Sequence, residues 1–97
     1  MNTIALDGEL TIYRAAELKE LLLSAVGKAG EAGLEVNLSA VTEFDTSGLQ
    51  VLMLAKKVAR HQQRELRLVE HSPAVLEVFE LLNVAAHFGD PLVMANH

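Results

Sequence analysis

The sequence predicts a single α/β domain with a mixed sheet of four to five strands and three or four helices packed against it. Apolar residues make up 51% of the 97 residues and charged residues 22%, a composition typical of a compactly folded chain. Segments with strand periodicity alternate with segments of helix periodicity, in the order ββαβαβα with a possible last strand. The strand–helix–strand units imply parallel pairing. We expect one domain over residues 1–97, with its core within about residues 3–94.

The first strand pair is predicted to be an antiparallel hairpin. Residues 3–12 alternate between apolar and polar side chains, and the Asp7-Gly8 step in their middle is a strong hairpin signal. A three-residue loop from Asp7 to Glu9 is preferred to a two-residue loop because it sets Leu6 opposite Leu10. The same loop sets Ile4 opposite Ile12 on the apolar face. A register shift of one residue would turn an apolar face towards solvent.

Three helices are predicted from apolar residues spaced at helical intervals. The first covers about residues 15–29, the second follows Ser47, and the third begins at Ser72-Pro73 and ends near Asn83. Between them, residues 34–38 and 66–70 have the alternation of short strands, and Leu92-Val93-Met94 is a candidate edge strand. Seven residues from these segments are expected to share one core: Leu18, Leu22, Val36, Leu38, Leu52, Leu68 and Phe79.

The turn Asp45-Thr46-Ser47-Gly48 is the first place to look for function, since it joins the end of a strand to the start of a helix. In open α/β sheets, function usually lies beyond the carboxyl ends of the strands. Ser47 and Gln50 fit a capping box, although Thr46 or Asp45 are alternative caps. Gly48 is expected to leave the surface beside the serine bare, so that another molecule can approach it.

Several function classes lack support in the sequence. The chain has no cysteine for disulfide, thiol or thiolate-metal chemistry, and its formal net charge of −5 disfavours nucleic-acid binding. Asp45 replaces the first glycine of a G-x-S-x-G nucleophile elbow, and the histidines lack the spacing of a zinc motif. No secretory signal or membrane span is visible. We therefore expect no catalytic residues, no metal, no cofactor and no direct membrane insertion.

Four segments together resemble the STAS domain family over about residues 3–94. They are Val36-Asn37-Leu38-Ser39, Phe44-Asp45-Thr46-Ser47-Gly48-Leu49, Leu66-Arg67-Leu68-Val69 and Ser72-Pro73-Ala74-Val75. The family includes the anti-sigma factor antagonists, also called anti-anti-sigma factors. The resemblance implies a STAS-like mixed sheet with packed helices, in agreement with the periodicity.

The resemblance also implies a role in partner switching. Such a protein binds an anti-sigma factor that is a serine kinase of the histidine-kinase-like ATPase class, and a serine phosphatase reverses the modification made by that kinase. The phosphorylated position corresponds to Ser47, and Asp45, Thr46, Gly48 and Leu49 correspond to the surrounding partner-binding segment. The expected location is the cytoplasm, and the output is transcriptional, chemosensory or biofilm signalling.

A second branch of the same family offers an alternative function. Its members are cytoplasmic STAS subunits of lipid-asymmetry ABC transporters, which bind and support the ATPase. The important threonine of that branch corresponds to Thr46, which this chain also has. That branch tends to lack a phosphorylatable residue at the position of Ser47, so Ser47 favours the switch.

Overall fold

The computed structural model describes residues 2–82, which form a three-stranded sheet and three α-helices. The elements follow one another in a strand–helix alternation that ends with a helix. Their bounds are β1 (Asn2–Leu10), α1 (Ala15–Ala29), β2 (Leu34–Phe44), α2 (Thr46–His61), β3 (Leu66–Val69) and α3 (Pro73–Leu82), with a 3-10 turn at Gly30–Ala32 after α1. This alternation confirms the predicted α/β class, and α1 has the bounds predicted from its apolar stripe.

The strands lie in the order β1-β2-β3, and both pairs are parallel. The strand starts are aligned, with Asn2 beside Leu34 and Leu34 beside Leu66. Parallel alignment brings the carboxyl ends of the strands to one edge of the sheet. Two connections therefore meet there, residues 11–14 after β1 and residues 45–49 after β2.

The predicted hairpin at the start of the chain is wrong, because β1 is one continuous strand. Gly8 adopts the positive φ of 71° that the Asp-Gly step suggested, but the chain does not reverse there. The register along β2 instead shifts on either side of Gly8, as in a β-bulge. Leu6 and Leu10 are both buried in the core, which satisfies the apolar pattern without a turn.

The sheet of the described chain is parallel with three strands, not mixed with four or five. One of the predicted strands disappears because the two halves of the hairpin are a single strand. The candidate edge strand Leu92-Val93-Met94 and the predicted end of the third helix near Asn83 lie outside the described residues.

One apolar core joins the sheet to the helices, and all seven residues predicted to share it are buried. The buried side chains of α1 and α2 and those of β2 and β3 belong to the same cluster. Phe79 of α3 completes it, with its ring centroid 6.0 Å from that of Phe44 at the end of β2. The core thus holds the carboxyl end of β2 in place, where the next turn begins.

Two basic side chains donate hydrogen bonds at the opposite end of the sheet, near where the strands begin. The Arg64 guanidinium donates hydrogen bonds from Nη1 to the carbonyl oxygens of Val26 and Gly27, at 2.8 and 2.9 Å, near the end of α1. Lys56 Nζ donates to the Leu66 carbonyl oxygen at 2.7 Å. Carbonyls in the last turn of a helix have no partner within the helix, so Arg64 satisfies groups that α1 leaves open.

Within residues 2–82, no helix is long and apolar enough to cross a membrane.

Candidate functional site

The candidate site lies where β1 and β2 end side by side, with Leu10 paired to Phe44. Residues 11–14 leave β1 at this edge, and residues 45–49 form the turn into α2. The Asp45 backbone N–H donates to the Leu10 carbonyl oxygen at 3.3 Å, which links the two connections at their bases. The turn predicted from sequence to carry function is therefore one half of a two-segment surface.

Asp45 is the residue that holds this surface together. It is the N-cap of α2, and its Oδ1 accepts a hydrogen bond from the Gly48 N–H at 3.0 Å. Its Oδ2 accepts from the Ile12 N–H at 3.2 Å, across to the other segment. One carboxylate thus satisfies a helix-terminal amide and fixes the neighbouring connection at the same time.

The Ser47–Gln50 capping box does not form, because α2 begins at Thr46 and places Ser47 inside its first turn. Of the two alternative caps, Thr46 and Asp45, Asp45 is the one that caps the helix. Asp45 has the extended backbone of a cap residue, with φ −129° and ψ −175°. Within residues 2–82, the Ser47 hydroxyl makes no hydrogen bond, so it has no part in holding the turn.

Gly48 is required by internal packing. A Cβ at this position would overlap the Leu10 carbonyl oxygen and lie 2.9 Å from the Leu10 carbonyl carbon. The expectation that Gly48 leaves open surface beside the serine is therefore wrong, because the end of β1 occupies that space. The glycine lets the start of α2 approach β1 closely enough for the two connections to meet.

The five residues singled out by sequence differ in exposure. Thr46 is exposed, and Asp45 and Ser47 are half-buried. Gly48 and Leu49 are buried, Leu49 with 5% of its surface exposed. The turn therefore exposes its first three residues at least in part, and its last two anchor α2 on the core.

Sequence reasoning missed the second segment, residues 11–14. Ile12 is 65% exposed and Tyr13 is 87% exposed, although Ile12 was expected to face the core as part of a hairpin. The signal in the sequence was an Ile-Tyr pair one residue beyond the end of a strand. The hairpin interpretation hid this signal by assigning Ile12 to the apolar face.

Hydrogen bonds on both sides fix this exposed pair. The Thr11 hydroxyl accepts from the Tyr13 N–H at 3.4 Å and donates to Glu9 Oε1 at 3.3 Å. Arg14 Nη1 donates to the carbonyl oxygens of Asp7 and Glu9 at 2.9 and 3.1 Å, and its Nε pairs with Glu17 at 3.0 Å. The connection is therefore a structured turn with two outward-facing apolar side chains.

The surroundings of the two segments are acidic. Residues 7–17 and 43–49 contain five carboxylates against the single guanidinium of Arg14, a formal charge of −4. Among the described residues, no group of three or more His, Cys, Asp or Glu side chains is placed to hold a metal ion. The arrangement provides a hydroxyl, an apolar pair and negative charge, which suit recognition by another protein.

Comparisons with known proteins agree with this architecture. A family model described as "Mlab, STAS domain" matches residues 2–93. The protein named "Putative anti-sigma factor antagonist BtrV" of Bordetella bronchiseptica is 36% identical over 81 residues, which cover 84% of this chain and 69% of that protein.

A solved structure gives the same fold. The anti-sigma factor antagonist SpoIIAA in its unphosphorylated form superposes with a TM-score of 0.62 at 19% identity, over 81% of this chain and 72% of the SpoIIAA chain. The family match over nearly the whole chain, together with the sequence identity to BtrV, establishes that this chain belongs to the STAS domain family.

Proposed function

We propose that this chain is an anti-sigma factor antagonist whose partner binding is switched by phosphorylation of Ser47. In its unmodified form it binds a serine kinase that is also an anti-sigma factor, of the histidine-kinase-like ATPase class, and a serine phosphatase restores this form. The observation that carries the proposal is the position of Ser47, in the first turn of α2 at the carboxyl edge of the sheet, with an uncommitted hydroxyl. The names of the relatives, BtrV and SpoIIAA, support the same role.

The fold can tolerate a phosphate at Ser47 because Asp45 provides the cap of α2. Modification of Ser47 therefore removes no hydrogen bond that holds the turn. A phosphoserine carries about −1.5 to −2 charges at neutral pH, and negative charge is favourable in the first turn of a helix. We expect the modified protein to keep its fold.

The phosphate would act on the partner complex through charge. The site is already acidic, and the sequence has no Lys or Arg between Lys28 and Lys56. The guanidinium of Arg14, the one basic group of residues 7–17 and 43–49, is already paired with Glu17. Repulsion from a partner carboxylate about 5 Å away is on the order of 3 kcal/mol for each charge pair at an effective dielectric constant of 20. Since about 1.4 kcal/mol is a tenfold change in affinity, one such contact is enough to release the partner.

The proposed role requires no chemistry from the chain itself, since the kinase and the phosphatase make and remove the phosphate. Thr46 and Asp45, beside Ser47 at the surface, are the proposed partner contacts within the turn, and Gly48 and Leu49 support them from below. We place this exchange in the cytoplasm. The output is a sigma factor or a related signalling pathway.

Phosphorylation by the cognate kinase tests the proposal. The anti-sigma factors of the histidine-kinase-like ATPase class from the genome that encodes this chain are purified and incubated with it and ATP, and the product is mapped by mass spectrometry. We expect phosphate on Ser47 in the wild type, none on Ser47→Ala, and phosphate still on Ser47, at whatever rate, in Thr46→Ala. Phosphate found only on other residues, with Ser47→Ala fully modified, would contradict the assignment.

A further inference from the structure

Two apolar side chains stand out on the surface at the candidate site. Ile12 and Tyr13 are adjacent in the chain, and the Ile12 amide is 3.2 Å from the carboxylate of Asp45, two residues before Ser47. The other large exposed apolar residues of the described chain, Leu21 and Leu81, lie singly on α1 and α3. A single exposed leucine is common in proteins and needs no special explanation. A paired Ile and Tyr beside a functional turn is a better candidate for a contact surface.

The pair is also held rigidly, which favours binding. Asp45 accepts from the Ile12 N–H, the Thr11 hydroxyl accepts from the Tyr13 N–H, and Arg14 bonds two carbonyls of β1. A segment that is already ordered loses little conformational entropy when a partner binds it. Tyrosine is among the residue types that most often dominate binding energy at interfaces, since its ring supplies a large contact area.

We propose that Ile12 and Tyr13 are the apolar anchor of the partner interface, here called the Ile12–Tyr13 patch. The patch rests on the proposed function and deepens it by naming the chemistry of the partner surface. That surface has an apolar pocket for the patch and a border of Lys or Arg side chains, which face the acidic surroundings of residues 7–17 and 43–49. Unmodified Ser47 lies at the same interface.

Asp45 is the positioning residue of the patch. Its two oxygens accept from the Ile12 and Gly48 amides, so the patch and the start of α2 share one support. In Asp45→Asn, the side-chain oxygen can still cap α2, but the amide group cannot accept from the Ile12 N–H. Hydrogen exchange at the Ile12 amide is expected to be faster in Asp45→Asn than in the wild type, measured by NMR on the chain alone. Unchanged exchange at Ile12 would refute the positioning role, and this result is independent of any partner.

The patch itself is tested by calorimetric titration against the purified anti-sigma factors of the histidine-kinase-like ATPase class from the same genome. Ile12→Ser and Tyr13→Ser are each expected to raise the Kd of the complex about tenfold or more. Leu81→Ser is the matched control, because Leu81 is 79% exposed but lies on α3, and it is expected to leave Kd within about twofold. Thermal unfolding of each variant checks that the fold is intact.

The possible outcomes distinguish a failure of the Ile12–Tyr13 patch from a failure of the Ser47 proposal. If the wild type binds and the Kd is unchanged in Ile12→Ser and Tyr13→Ser, the patch proposal is wrong. The Ser47 proposal then still stands. If the wild type binds none of these proteins, the proposed function fails, and the assigned partner of the patch fails with it. If the wild type instead self-associates and Tyr13→Ser abolishes this, the occupant is a second copy and the proposal is wrong. A Kd that does not rise with ionic strength would contradict the basic border.

Discussion

Replacing Gly48 with alanine should destabilise the protein although alanine is the better helix former. In an unconstrained helix, this change is favourable by about 1 kcal/mol. At position 48 the added methyl would lie 3.0 Å from the Leu10 Cβ and overlap the Leu10 carbonyl oxygen. That oxygen belongs to the backbone of β1 and cannot rotate away, so α2 has to shift.

The expected size of the loss follows from these two opposing effects. Overpacking of this kind costs about 1–3 kcal/mol, and the rigid backbone neighbour favours the upper end of that range. The shift also weakens the hydrogen bond from the Asp45 N–H to the Leu10 carbonyl, which is already 3.3 Å long. After subtracting the gain in helix propensity, we expect Gly48→Ala to lose about 2 kcal/mol of unfolding free energy.

Denaturant unfolding of Gly48→Ala beside Gly27→Ala is the appropriate assay. Gly27 lies in α1, and a Cβ there meets nothing within 4 Å. Gly27→Ala is therefore expected to stabilise the protein by up to about 1 kcal/mol. Opposite signs for the two substitutions would support the close approach of α2 to β1. A stabilising effect of both would refute the packing argument at Leu10.

Two further substitutions test the core and the far edge of the sheet. Leu52→Ala should cost about 2–5 kcal/mol in denaturant unfolding because Leu52 is only 1% exposed, and a loss below about half a kcal/mol would rule out its place in the core. Arg64→Ala should cost about 1–2 kcal/mol because it leaves the Val26 and Gly27 carbonyls without their donor. Exposed Arg60 provides the comparison, since Arg60→Ala should change stability by less than about 0.5 kcal/mol, and equal losses would contradict the role of Arg64.

Much of the fold could be predicted because its strongest signals are periodic. The helical stripe of α1 gave both of its ends, and the alternation at residues 34–38 gave the buried face of β2. The hairpin failed for a physical reason, since Asp7-Gly8 has the same local chemistry in a tight turn and in a bulge. Which one forms depends on whether β1 pairs with itself or with β2, and no local pattern contains that information.

The candidate site could be located from the sequence, but its internal connections could not. The turn at Asp45 and Ser47 could be identified because a helix that follows a strand has its first turn at the carboxyl end of that strand. In open α/β sheets, function usually lies at this end. The link from Asp45 to Ile12 joins residues 33 positions apart, so it depends on the parallel pairing of β1 with β2. The close contact of Gly48 with Leu10 could not be predicted for the same reason, since the two residues meet only when β1 pairs with β2.

The central claim is that the charge on Ser47 controls partner binding, and titration calorimetry with the cognate anti-sigma factor measures this directly. The chain is titrated unmodified, phosphorylated on Ser47, and as Ser47→Ala and Ser47→Asp. We predict that the phosphorylated chain binds about 100-fold more weakly than the unmodified chain, that Ser47→Asp is weakened less, and that Ser47→Ala binds as the wild type does. Equal Kd values for the phosphorylated and unmodified chains would contradict the account. Equal values for all four proteins, with binding lost only when Thr46→Ala is titrated, would assign the control of binding to Thr46 instead of Ser47.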